Sequence, residues 1–135
     1  MDLGIAGRRA IVCASSKGLG RACDASLAEA GCEVVINGRN RDVLEATAAE
    51  LRKATGARIT AVAADVATAQ GQSALLAACP QPDILVNNNA GPPFRDFREL
   101  DRQAIIDGVI ANMAVAMLSD RFGGYVTGAV LYRAS

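Results

Sequence analysis

The residues Cys13-Ala14-Ser15-Ser16-Lys17-Gly18-Leu19-Gly20 stand where an apolar run gives way to a helical pattern, and their types suit an anion. Where a strand passes into a helix, the first backbone N–H groups lack partners and the helix dipole is positive, so a phosphate is favoured there. Gly18 and Gly20 fall at the start of the predicted helix, where a missing side chain lets a pyrophosphate come close. A tight strand–helix connection would use the same two glycines, so the turn alone leaves both readings open. No Gly-Lys-Ser/Thr follows, which excludes a Walker loop. Position 14, where a glycine usually opens such a turn, carries Ala, and a Cβ there would push a pyrophosphate outward if the residue needs positive φ.

Arg39 stands nineteen residues after Gly20, at the end of the second apolar run. An acidic side chain at that spot would hold a ribose 2′-hydroxyl, and a basic one a 2′-phosphate. Lys17 adds a second cation, and two cations on one phosphate favour NADP(H) over NAD(H). The alternative for Arg39 is a solvated loop charge.

These residues need a frame, and the hydrophobic pattern supplies one. Short β-rich runs over 8–15, 33–38, 57–65 and 82–88 alternate with helical segments over 18–31, 40–56 and 68–79. Asn40 caps the second helix, Gly56 ends it, and Val43, Leu44, Ala46 and Leu51 form its expected apolar stripe. Two prolines make 91–94 a loop, and a long helix is expected from about Glu99 to Leu118. Strands alternating with helices predict an α/β, Rossmann-type three-layer sandwich with a mainly parallel sheet. The pattern changes at about residue 118, so the expected organisation is a dinucleotide-binding region over 1–118 and a Gly-rich tail over 119–135.

Composition narrows the chemistry. Fourteen basic and fourteen acidic side chains cancel, which argues against a nucleic-acid or anionic-membrane partner. No apolar stretch approaches a membrane span and no signal-type segment opens the chain, so a soluble cytoplasmic protein is expected. Cys13, Cys23, Cys32 and Cys79 form no C-x-x-C pair and the chain has no histidine, so no metal site is expected. Without histidine there is no Ser-His-Asp or Cys-His centre, and acid–base work falls to Tyr, Lys, Asp or Glu.

With these residues in view, the sequence resembles the short-chain dehydrogenases/reductases. The family fingerprint T-G-x-x-x-G-x-G aligns with residues 13–20, with Cys13 for the Thr, Ala14 for the first Gly, and Gly18 and Gly20 matching. The resemblance implies that the segment from Ala14 through Ser15, Ser16, Lys17, Gly18 and Leu19 to Gly20 cradles the cofactor. It implies that Asp65 binds the adenine amino group with Val66 beside the ring. Asn88-Asn89-Ala90-Gly91 resembles the family's N-N-A-G, preceded here by an extra Asn87. Through that match Asn89, Ala90 and Gly91 line the nicotinamide-side ribose, and Asn112 falls where the family keeps a helix asparagine in its proton relay. The resemblance also implies a small carbonyl or alcohol substrate, possible 3-oxoacyl reductase-like activity, and homo-oligomerisation through the 99–118 helix.

One part of the family pattern is not found. The relay needs a Tyr with a Lys four residues later and a Ser holding the substrate oxygen. Four residues after Tyr125 stands Ala129, and Tyr132 has only three residues after it. Residues 123–131 resemble the family's closing strand instead. The expectation is a carbonyl/alcohol oxidoreductase whose catalytic segment is absent from these 135 residues, and which is inactive as it stands. The alternative is a non-catalytic dinucleotide-binding or oligomerising remnant.

Overall fold

Three of the apolar runs form strands buried on both faces, so they read as continuously apolar rather than alternating, while the run over 59–63, at the sheet edge, is partly exposed. The computed structural model describes residues 2–89, 96–109 and 130–132. Its strands are β1 (Arg9–Val12), β2 (Glu33–Gly38), β3 (Ile59–Ala63), β4 (Ile84–Val86) and β5 (Val130–Tyr132). The helices α1 (Gly18–Glu29), α2 (Arg41–Thr55) and α3 (Ala69–Ala78) connect the first four. The sheet order is β3-β2-β1-β4-β5. The first four strands are parallel, with Ile11 of β1 opposite Val35 on one side and Leu85 on the other. β5 pairs antiparallel to β4, Leu131 opposite Leu85.

Period-two alternation splits the core into two layers. Val12, Ile36 and Val86 face α1 and α2, where Ala28, Leu44, Ala48 and Leu51 complete one cluster. Ile11, Val35 and Leu85 face α3 and pack with Cys13, Val66, Leu75 and Cys79. This is the expected three-layer α/β arrangement. The four cysteines are free, Cys23 half-buried and the other three buried. Among the described residues, no helix is long and apolar enough to cross a membrane.

Several boundaries and one face differ from the sequence reading. The strands are shorter than 8–15, 57–65 and 82–88. β1 stops at Val12 because Ala14 turns the chain with φ 48°, and Asp65 starts a turn after β3 by accepting the Ala67 N–H at 2.9 Å. In α2, Asn40 caps as expected, accepting the Val43 N–H at 3.1 Å, and Gly56 ends the helix with φ 70°. Its buried stripe is Leu44, Thr47, Ala48 and Leu51, while Val43 and Ala46 are exposed. At about 100° per residue, Val43 and Ala46 lie about 100° and 160° round the helix from Leu44, off the arc that Leu44, Ala48 and Leu51 share.

The helix expected from Glu99 starts later. Phe97–Glu99 form a 3-10 turn, which Asp96 initiates by accepting the Arg98 and Glu99 N–H groups at 3.0 and 2.8 Å. Asp101 then accepts the Ala104 N–H at 2.7 Å and opens a helix over 102–109. The remainder of the expected 99–118 helix, with Asn112, lies outside the described residues, as do residues 123–129 of the expected closing strand.

Candidate functional site

The site is built where β1 turns into α1. Ala14 has φ 48°, the only positive φ at a non-glycine among the described residues, so position 14 does take the conformation that suits glycine. The turn is held from β2: the Asn37 side chain accepts the Ala14 N–H at 3.1 Å, and its carbonyl accepts the Ser15 N–H at 2.6 Å. The same side chain donates to the carbonyls of Val62 and Ala64 at 3.0 and 2.9 Å, tying the turn to the end of β3. From β4, Asn88 donates to the Ala14 carbonyl at 3.1 Å.

Gly20 makes the close approach of α1 possible. A Cβ there would lie 2.6 Å from the Ala14 carbonyl oxygen and 2.7 Å from Ser15 Cα. α1 also begins differently from its neighbours. Asn40 caps α2 and Thr68 caps α3 with side-chain acceptors, whereas Lys17 at the start of α1 makes no such bond. The first amides of α1 are therefore left for an external acceptor.

Across from this turn, Asp65 and Val66 form the second wall. Asp65 lies where α3 presses on it: a Cβ on Gly71 would sit 1.9 Å from the Asp65 carbonyl oxygen. The Thr68 hydroxyl donates to that carbonyl at 2.8 Å, and the buried Gln72 donates to the Val66 carbonyl at 2.9 Å. Between the walls lies a cleft of about 400 Å³, lined among others by Ala14, Ser16, Lys17, Arg39, Asp65, Val66 and Asn89. Seven of the residues singled out in the sequence thus meet at one place.

The others sit differently. Ser15 is fully buried under the turn, its hydroxyl donating to the Val12 carbonyl and accepting the Asn37 N–H. Leu19 is 83% exposed and lines an apolar groove on the far side of α1. Gly18 is exposed with φ 62°, and Gly20 is buried against the turn. Ala90, Gly91 and Asn112 lie outside the described residues. Sequence reasoning missed Asn37, Gly71 and Gln72. An amide ending a buried strand, and a glycine inside a predicted helix, were the available signals.

Burial sets the charge states here. It pushes the Cys13 thiol up to about 12, so this residue is a neutral packing group rather than a nucleophile. On α1, Gly20, Asp24 and Ala28 form the buried stripe, so a carboxyl faces the core one turn below the phosphate turn. Among the described residues neither Asp24 oxygen meets hydrogen-bond geometry, and burial pushes its carboxyl up to about 8, with the Ser15 hydroxyl, spent on Val12, lowering it only in part. The buried Asn87 amide likewise closes no hydrogen bond among the described residues.

Comparison with known proteins follows this geometry. The sequence model described as short chain dehydrogenase matches residues 8–119. L-xylulose reductase of Cavia porcellus is 34% identical over 113 residues, 84% of this chain and 44% of the relative. An uncharacterized oxidoreductase of Bacillus subtilis is 40% identical over 89 residues, 65% of this chain and 34% of the relative. Among solved structures, L-sorbose reductase from Gluconobacter frateurii, complexed with NADPH and L-sorbose, superposes with a TM-score of 0.68 at 28% identity. That match covers 85% of this chain and 49% of the other. The chain spans less than half the length of the curated relatives it matches.

Proposed function

This chain belongs to the short chain dehydrogenase family of oxidoreductases, and we propose that its cleft binds NADP(H) in preference to NAD(H). The observation that carries the reading is the pairing of Lys17 and Arg39 on one cleft with an uncapped helix start. Two cations suit a 2′-phosphate, and the free amides of α1 suit a pyrophosphate. Asp65 and Val66 on the opposite wall suit the adenine. NADPH, when bound, supplies the hydride. Lys17 and Arg39 then fix the far end of the cofactor, while Gly20 and Asn88 keep the turn tight against it.

For the whole protein the reading is reduction of a small carbonyl compound, or oxidation of the matching alcohol. The ketose reductases among its relatives support that class. Within these 135 residues no tyrosine has a lysine four positions later, which favours a second reading for the chain alone: it binds the dinucleotide without transferring hydride. We place it in the cytoplasm, as four free thiols suit a reducing compartment. We also assign homo-oligomerisation to the segment 99–118, supported by the exposed Ile105, Ile106 and Val109 of the helix over 102–109.

NADPH fluorescence titration tests the cofactor reading. Arg39→Asp is expected to weaken NADPH binding about tenfold or more while leaving NADH nearly unchanged. Equal or tighter NADPH binding by the variant would reject it. Reduction of any ketone by the 135-residue chain, at rates near those of full-length relatives, would reject the second reading.

A further inference from the structure

Asp24 has no task in the site as described, yet its placement is unusual. It is fully buried, and among the described residues neither of its oxygens meets hydrogen-bond geometry. A carboxylate in that state is strongly disfavoured, so the group keeps its proton. Its polar neighbour is Ser15, whose hydroxyl donates to the Val12 carbonyl and accepts the Asn37 N–H. Asn37 in turn holds Ala14 on one side and the end of β3 on the other. Asp24 therefore lies beside a network that ties the phosphate turn to the end of β3.

Resting on the dinucleotide reading above, we infer that Asp24 is a positioning residue whose proton is needed for the cradle to hold its ligand. With the proton on, the Ser15 hydroxyl stays on Val12 and the turn keeps its shape. With the proton off, the carboxylate is the stronger acceptor and draws that hydroxyl away from Val12. The new negative charge also lies below the α1 N-terminus, where it competes with a pyrophosphate for the same positive end of the helix. Both effects loosen the hold on a polyanion. By linkage, a bound dinucleotide raises the proton affinity of Asp24.

Among the described residues, no compensating cation lies beside Asp24. β1 and β2 present Ala10, Val12, Val34 and Ile36 to this face, and α2 presents Leu44, Ala48 and Leu51. The Thr47 hydroxyl is spent on the Ser16 and Val43 carbonyls. The titratable groups at this core are the thiols of Cys23 and Cys32. Arg21 of α1 and Glu50 of α2 pair with each other at the surface, and Lys17 is exposed at the helix start.

The experiment is NADPH titration of the full chain between pH 6.5 and 9.5, with Asp24→Asn and Asp24→Ala alongside. The wild-type dissociation constant is expected to rise by up to about tenfold per pH unit above pH 8, relative to both variants. Calorimetry at pH 8.5, in buffers of differing ionisation enthalpy, is expected to show proton uptake on binding by the wild type and none by the variants. Parallel pH profiles with no difference in proton uptake would overturn the role of Asp24 while leaving the dinucleotide reading intact. No NADPH binding by any of the three proteins at pH 6.5 would overturn both.

Discussion

The two edges of the sheet are built to opposite standards. At the N-terminal edge, Asp83 is 5% exposed and amply satisfied: it accepts the Arg9 N–H at 2.9 Å and lies 3.6 and 3.7 Å from Arg8 and Arg9. At the C-terminal edge, Ala14 sits in the left-handed region, α1 lacks a side-chain cap, and among the described residues buried Asp24 and Asn87 close no hydrogen bonds. One carboxyl is buried with its cations and the other without. The difference separates an edge whose buried polar groups are met from an edge where, among the described residues, they are not, and such unmet groups call for an explanation.

The largest way to break this contrast is to fill the space that shapes the site. Gly71→Ala puts a Cβ 1.9 Å from the Asp65 carbonyl. It is expected to destabilise the chain by about 3 kcal/mol or more, read as a lowered urea midpoint, with weaker NADPH binding at temperatures where the variant is folded.

Comparable in size is the pH dependence of stability. The folded chain holds the Asp24 proton to about pH 8, whereas an ordinary carboxyl loses it near 3.8. Between those values the folded state binds more protons, so stability falls as pH rises across the window. By pH 7 the cost is on the order of 4 kcal/mol. Asp24→Asn is expected to remove that slope and to be the more stable protein at pH 7, as urea unfolding at pH 5, 7 and 8 would show. A wild-type slope retained in the variant would assign it elsewhere.

The satisfied edge gives the opposite response. Asp83→Ala strips the Arg9 amide and two guanidinium groups of a partner, and is expected to cost about 2 kcal/mol. The smallest change sharpens the contrast from the other side. Ala14→Gly relieves a left-handed alanine, with an expected gain of about 1 kcal/mol, seen as a raised thermal midpoint and slightly tighter NADPH binding.

Much of this was legible from the sequence. The parallel sheet with helices on both faces follows from four apolar runs separated by helical segments, and Asn40 and Gly56 bracket α2 as their chemistry dictates. The cleft was legible too, since Lys17, Arg39 and Asp65 each end an element at the same edge. What escaped were residues whose roles depend on distant partners. Asn37 reads as one more strand residue until β1 and β3 are placed beside it, and Gly71 reads as a helix defect until Asp65 lies under it. Asp24 left a local signal, a carboxyl spaced four residues from Gly20 and four from Ala28. Its meaning required knowing that no cation lies opposite.

The four bonds made by the Asn37 side chain and carbonyl have a consequence for motion. A turn of this kind on a free loop would exchange its amide protons with water within moments. Here the Ala14 and Ser15 amides are clamped to the second strand, which is itself clamped to the third. They can open only when the sheet between β1 and β3 opens, so hydrogen exchange at these two amides reports the unfolding of the domain core rather than the flicker of a loop. The cradle is as rigid as the sheet that carries it.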